Sequence, residues 1–151
     1  MTGHLRPRVL FVCARNRGKS PMAAGLLQQL VGDAADVTSA GTAAAQTGDV
    51  DVNPQSRDAL IEVGADISQH RPRLLTAEMA RAADVVVVLG REARLPVVDG
   101  PRIEVWETDE PSARGIDGME RMRLVRDDIA RRVADLADRL GIAPVAEGPS
   151  R

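Results

Sequence analysis

A chain of 151 residues provides material for one ordinary domain, so we expect residues 1–151 to form a single domain with a core at about 8–141 and flexible ends at 1–7 and 142–151. Apolar residues make up 44% and charged residues 28%, which is typical of a globular protein rather than a disordered one. The formal charge of −2 and an aromatic content of 1% argue against nucleic acid as a binding partner. The chain has no long apolar run and no leader-like start, which predicts a cytoplasmic protein without a membrane span.

The pattern of apolar and polar residues predicts strands that alternate with helices. In chain order the predicted elements are strand 8–13, helix 20–31, strand 37–40, helix 53–63, short helix 77–83, strand 84–89, strand 102–106 and long helix 119–140. Such alternation is typical of a parallel sheet that helices cover on both faces. The sequence therefore predicts the α/β class.

Individual residues support these elements. Ser20 is a candidate cap for the first helix with Pro21 at its first position, and Asn53 is a candidate cap for the second, which Gly64 ends. The stretch DVVVVL at 84–89 is apolar on both faces, which suits the centre of a parallel sheet. The last helix carries apolar residues every three or four positions, and we expect its charged face to be solvated.

The stretch CARNRGKS after the first strand is similar to a Walker A phosphate loop, G-x-x-x-x-G-K-S, with Cys13 in place of the first glycine. The backbone amides of residues 14–20 and the side chains of Arg15, Arg17 and Lys19 favour a bound oxyanion. A nucleotide site also needs an acid after a second apolar strand to hold magnesium, and DVVVVLG ends without one. We therefore favour an oxyanion other than a nucleotide; magnesium-dependent ATP binding would support the nucleotide alternative.

Cys13 is the single cysteine, which excludes a disulfide within the chain and a metal site built on several cysteines. The dipoles that hold an oxyanion also stabilise a thiolate, and Ser20 is placed to donate a hydrogen bond to its sulfur. Such a thiolate is a nucleophile aimed at the central atom of a tetrahedral oxyanion. The alternative is an inert buried cysteine that ends a strand. His4 and His70 lie too far apart to make a metal site, so we expect no metal.

Several motifs occur together in the order of a known family. The pattern C-x-x-N-x-x-[RK]-S is followed by SAGT (39–42), NPQSRDALIEVGADIS (53–68), DVVVVLG, WETDEP (106–111) and GMERMRLVRDDI. This set resembles the low-molecular-weight protein tyrosine phosphatases and the arsenate reductases built on that fold. The resemblance covers roughly residues 8–140. It implies a flavodoxin-like sheet of four parallel strands with helices on both faces.

The resemblance also implies roles for the loop and for an acid before Pro111. Cys13 would be the nucleophile, Asn16 would shape the loop because asparagine tolerates left-handed backbone, and the acid would donate a proton. The implied oxyanion cradle comprises Ala14, Arg15, Asn16, Arg17, Gly18, Lys19 and Ser20.

Two positions depart from the family pattern. The usual loop arginine is Lys19, which offers a point charge instead of a planar fork. The usual aspartate before the proline is Glu110, with Asp109 one residue earlier, and the sequence leaves both open as the acid. An acidic surface turn is the alternative interpretation of this pair. The lysine and the absence of tyrosine argue against phosphatase activity.

With one cysteine, the electrons that reduce arsenate must come from an external thiol or a partner's cysteine. The sequence most resembles the actinobacterial branch of this family, in which arsenate is coupled to mycothiol and a mycoredoxin then releases arsenite. The resemblance implies an arsenate–mycothiol transferase. It further implies mycothiol as co-substrate and no bound cofactor. His70, Arg71 and Arg73 are candidate contacts to the thiol, or a solvated loop. Whether Cys13 bonds arsenic first is open. The alternative functions are a phosphotyrosine phosphatase and a non-catalytic oxyanion or redox sensor.

Overall fold

Four parallel strands form one sheet in the order β2-β1-β3-β4 in the computed structural model, which describes residues 6–44, 51–90, 93, 95 and 99–145. The strands are β1 (Arg8–Cys13), β2 (Asp36–Gly41), β3 (Val85–Leu89) and β4 (Arg102–Trp106). The sheet confirms the predicted fold class. The predicted flexible ends lie largely outside the described residues, and so do residues 45–50 before the second helix.

The helices follow the strands as expected. They are α1 (Lys19–Val31), α2 (Pro54–Ile61), α3 (Ala77–Ala82) and α4 (Gly118–Arg139), with 3-10 turns at Gly32–Ala34 and Pro111–Arg114. Within the described part of the chain, no helix is both long enough and apolar enough to cross a bilayer. The bounds of β1 and β4 agree with the prediction, and the other elements shift by one or two residues at an end.

Both faces of the central strands are buried, because alternate side chains enter two separate cores. Phe11 and Val87 point into the larger core, which α1, α2 and α4 cover. Val12 and Val86 point into the smaller core on the other face, beside Met79 of α3. All five residues of β3 are buried, which confirms the predicted position of this strand inside the sheet.

Three local predictions about helices were wrong and one was confirmed. Gly18, not Ser20, is the N-cap of α1, because the buried hydroxyl of Ser20 bonds inside the preceding loop instead of capping the helix. Pro21 is accordingly the third residue of α1 and not the first. Asn53 does cap α2, since its side chain accepts the amides of the second and third helical residues. The charged face of α4 is not simply solvated: Arg126 and Asp128 are buried and bond to neighbouring segments.

Candidate functional site

The single cysteine lies at the carboxyl end of a central strand, where β1 turns into the loop before α1. Cys13 is 8% exposed. Its Sγ accepts the backbone N–H of Asn16 at 3.2 Å and lies 2.9 Å from Oγ of Ser20. The sulfur therefore sits inside the loop among hydrogen-bond donors, at the N-terminal end of α1 where the helix dipole favours negative charge.

Asn16 organises this loop from its centre. Its backbone φ is 56°, the left-handed conformation expected of a loop-shaping asparagine, and the residue is fully buried. Its Nδ2 donates to Oγ of Ser20 at 2.7 Å and to Oγ of Ser39 on β2 at 3.0 Å. Because Ser20 Oγ accepts from Asn16, its own proton is free to point at Cys13. This arrangement matches the predicted hydrogen bond from Ser20 to the sulfur.

A distant segment, residues 70–73, locks Asn16 in place. The backbone N–H of Arg73 donates to Oδ1 of Asn16 at 3.0 Å, which fixes the orientation of the amide. Nε2 of His70 lies 2.9 Å from the carbonyl oxygen of Asn16, and since that oxygen only accepts, Nε2 carries the proton. Partial burial lowers the pKa of His70. His70 and Arg73 therefore hold the backbone and the side-chain amide of Asn16 in place.

Gly41 is required by the close approach of β2 to the loop. A Cβ at this position would lie 2.7 Å from the carbonyl oxygen of Ala14 and 2.9 Å from the amide nitrogen of Asn16. The two residues after Gly41 also bind the loop through their backbone amides. Thr42 donates to the carbonyl oxygen of Cys13 at 3.0 Å, and Ala43 donates to that of Ala14 at 2.7 Å. Ser39 and Gly41 were not among the predicted site residues; the motif SAGT was their only sequence signal.

Of the two candidate acids, the structure brings Glu110 to the loop. Both carboxylate oxygens of Glu110 contact Nζ of Lys19, at 3.1 and 3.3 Å. The carboxylate of Asp109 is held instead by the guanidinium of Arg114 at 2.8 and 3.2 Å, and this hydrogen bonding is the main reason that its pKa is lowered. Glu110 is therefore the candidate acid that the structure places at the loop, whereas the carboxylate of Asp109 faces Arg114.

The other predicted residues, all arginines, make different contacts. Arg17 donates through Nε to the carbonyl oxygen of Asp51 at 2.8 Å, and Arg71 lies 3.5 Å from the carboxylate of the same residue. Arg15 is exposed. Arg73 reaches the loop through its backbone and also borders a cleft of about 540 Å³ near the start of β1 and β2. In the part of the chain that the structure describes, no three metal-ligating side chains lie close enough together to hold an ion.

Comparisons with known proteins point to one family. The family model for low molecular weight phosphotyrosine protein phosphatases matches residues 8–143. Similar curated relatives include an arsenate reductase of Halalkalibacterium halodurans, 35% identical over 86% of this chain and 94% of its own length. Another is arsenate reductase 1 of Staphylococcus epidermidis, 33% identical over 87% of this chain and 96% of its own length.

Solved structures agree with these matches. A thioredoxin-dependent arsenate reductase of Corynebacterium glutamicum superposes with a TM-score of 0.75 at 28% identity, over 93% of this chain; this chain spans only 64% of that one. An arsenate reductase in its phosphate-binding state gives a TM-score of 0.72 at 30% identity, over 88% of this chain and 98% of its own. A tyrosine phosphatase of Escherichia coli K30 in complex with sulphate shares the fold, with a TM-score of 0.72. The identity is 19%, over 91% of this chain and 100% of that one.

Proposed function

The chain belongs to the low molecular weight phosphotyrosine protein phosphatase family, and from that premise we propose that it is an arsenate reductase that acts as an arsenate–mycothiol transferase. The observation that carries the proposal is the environment of Cys13, whose sulfur accepts the backbone N–H of Asn16 and lies 2.9 Å from the hydroxyl oxygen of Ser20. The arsenate reductases among the relatives, at 33% and 35% identity over most of the chain, favour arsenate as the oxyanion.

In this proposal the loop binds arsenate through the amides of residues 14–20, with Lys19 supplying a positive charge. Ser20 and the amide of Asn16 hold the sulfur of Cys13 inside the loop, next to the position proposed for arsenate. Glu110 is the proposed proton donor, because its carboxyl group lies at the edge of the loop beside Lys19, whereas that of Asp109 points to Arg114 in its own segment.

Reduction needs two electrons and two thiol sulfurs. The first thiol forms an As–S bond, and one arsenate oxygen leaves as water after it is protonated. A second thiol then attacks the sulfur of that adduct, the electron pair of the As–S bond passes to arsenic, and arsenite leaves together with a disulfide. Because Cys13 is the single cysteine of these 151 residues, at least one of the two sulfurs comes from outside the chain.

Mycothiol is the proposed external thiol and a mycoredoxin the proposed second reductant, on the basis of the sequence resemblance described above. No bound cofactor is needed, because the thiols themselves carry the electrons. The side chain of Arg71 is 54% exposed beside Asp51, and Arg17 bonds to the same residue, so Arg71 is the best available contact for the thiol. The ring of His70 is already engaged with Asn16, and Arg73, which meets Asn16 through its backbone amide, borders the cleft near the start of β1 and β2.

Arsenite formation from arsenate tests the proposal. The assay is run with mycothiol, mycoredoxin and a reductase that supplies electrons, beside glutathione with glutaredoxin, and thioredoxin alone. We expect turnover only with the mycothiol system, and no turnover by the Cys13→Ser variant. Turnover with glutathione or thioredoxin alone would reject mycothiol but keep arsenate reduction. No arsenite with any donor, together with Cys13-dependent hydrolysis of an aryl phosphate, would reassign the protein as a phosphatase.

A further inference from the structure

The ammonium group that should bind the oxyanion is already occupied by a carboxylate of the same chain. Lys19 is the first residue of α1, within the oxyanion loop, and its side chain is 22% exposed. Nζ lies 3.1 and 3.3 Å from the two carboxylate oxygens of Glu110, whose side chain is 57% exposed. A tetrahedral oxyanion that uses the charge of Lys19 therefore meets a competitor with the same sign of charge.

The segment that carries Glu110 is anchored by contacts that do not involve Lys19. The amide of Asp109 donates to Oδ2 of Asp128 on α4 at 2.8 Å, and Asp109 pairs with Arg114 within its own segment. Arg132 of α4 donates to the carbonyl oxygen of Glu107 at 2.7 Å. The side chain of Glu110 can consequently leave Lys19 by rotating about its own bonds, without unfolding the segment.

The charges near the pair make this exchange feasible. The neighbouring carboxylate, Asp109, is neutralised by Arg114, so Glu110 is the negative group that competes for Lys19. An ion pair with one well-exposed partner contributes little net free energy, because water solvates the carboxylate once it is released. An oxyanion that also gains several backbone N–H bonds in the loop can therefore displace Glu110.

We propose that Glu110 is an internal competitor of the oxyanion: it holds Lys19 in the resting protein and is displaced when a tetrahedral oxyanion enters the loop. The inference rests on the proposed function in one respect, namely that Lys19 contributes to oxyanion binding. It adds that the carboxylate of Glu110 lowers the affinity of the loop for oxyanions. This carboxylate becomes available to take up a proton from solvent, and then to donate it, only after substrate entry has released it from Lys19.

Sulfate is the appropriate probe, since it has the shape of arsenate and undergoes no reduction by thiols. Calorimetry would compare sulfate binding by the wild type, by Glu110→Gln, and by Glu78→Gln, which removes one exposed acid on α3 as a matched charge control. We expect Glu110→Gln to bind sulfate about two- to fivefold more tightly, the range that an exposed ion pair can supply, and Glu78→Gln to match the wild type. Equal or weaker binding by Glu110→Gln, or no sulfate binding by any of the proteins, would overturn the proposal.

Displacement itself can be seen directly, because Lys19 is the only lysine of the chain. Protein labelled at lysine gives one side-chain NMR signal for the Cε–Nζ group. Without sulfate, the signal should differ between the wild type and Glu110→Gln; at saturating sulfate, the two signals should converge. A difference that persists unchanged at saturation would mean that Glu110 stays on Lys19, and would overturn the proposal. Neither measurement depends on arsenate turnover, so failure of arsenate reduction would be recognised separately.

Discussion

Replacing Asn16 by alanine should destabilise the protein more than a typical core substitution. The change removes three side-chain hydrogen bonds: Nδ2 to Ser20 and Ser39, and Oδ1 from the amide of Arg73. At roughly 1 kcal/mol for each, with the amide of Arg73 left without its acceptor, the loss is about 3–4 kcal/mol. Alanine also adopts the left-handed φ of 56° with difficulty, which adds roughly 1 kcal/mol.

Asn16→Gly is the matched control for the backbone contribution, because glycine loses the same hydrogen bonds without the penalty for positive φ. In urea unfolding at neutral pH, the free energy of unfolding of Asn16→Ala should be about 4–5 kcal/mol lower than that of the wild type. That of Asn16→Gly should be roughly 1 kcal/mol higher than that of the alanine variant. If Asn16→Ala lost less than about 1.5 kcal/mol, the hydrogen-bond network would not be the support of the loop that its geometry indicates. If glycine were no better than alanine, the backbone argument would be refuted instead.

Three further variants test other parts of the molecule. Ser20→Ala should slow the alkylation of Cys13 by iodoacetamide at neutral pH about fivefold, because the thiolate loses one donor at 2.9 Å; an unchanged rate would show that the hydroxyl does not stabilise the thiolate. Hydrogen bonding, chiefly to Arg123, lowers the pKa of Glu62 from 4.5 to about 2, so this carboxylate stabilises the fold above its unfolded pKa and stops doing so as the pH falls through the folded value. The stability deficit of Glu62→Gln in urea unfolding should accordingly be largest at neutral pH and shrink between pH 4.5 and about 2; a deficit independent of pH would contradict this linkage. Thr108 is 7% exposed, and its hydroxyl has no hydrogen-bond partner among the described protein groups, so the isosteric Thr108→Val should leave the melting temperature unchanged or raise it; a clear fall would mean that the hydroxyl is hydrogen-bonded in solution.

The fold was predictable because its signals are local. The apolar run of β1, the cap formed by Asn53 and the uninterrupted valines of β3 each occur within a few consecutive residues. The position of Cys13 and its loop at the carboxyl end of β1 was also predictable, since the strand, the loop and α1 follow one another along the chain. Ser20 was predicted both to cap α1 and to bond to Cys13, and only the second contact forms, because Gly18 occupies the N-cap position.

The remainder of the site depends on contacts between distant segments. Nothing in the sequence shows which of Asp109 and Glu110 approaches the loop; in the structure Arg114 binds the first and Lys19 binds the second. In the same way, the charged face of α4 was expected to be solvated, but Asp128 turns inward to accept the amide of Asp109. The partner that a long polar side chain binds is determined only once the backbone has brought several charged or polar groups within its reach.

The hydrogen bonds around Asn16 also make Cys13 a natural reporter of folding. The groups that position the loop around this thiol come from the loop itself, from Ser39 on β2 and from the segment that begins at His70, so they come together only in the native chain. In the unfolded ensemble the same cysteine is an ordinary exposed thiol. Since the chain has a single cysteine, the rate and stoichiometry of its labelling can follow refolding without introducing a probe or removing competing thiols.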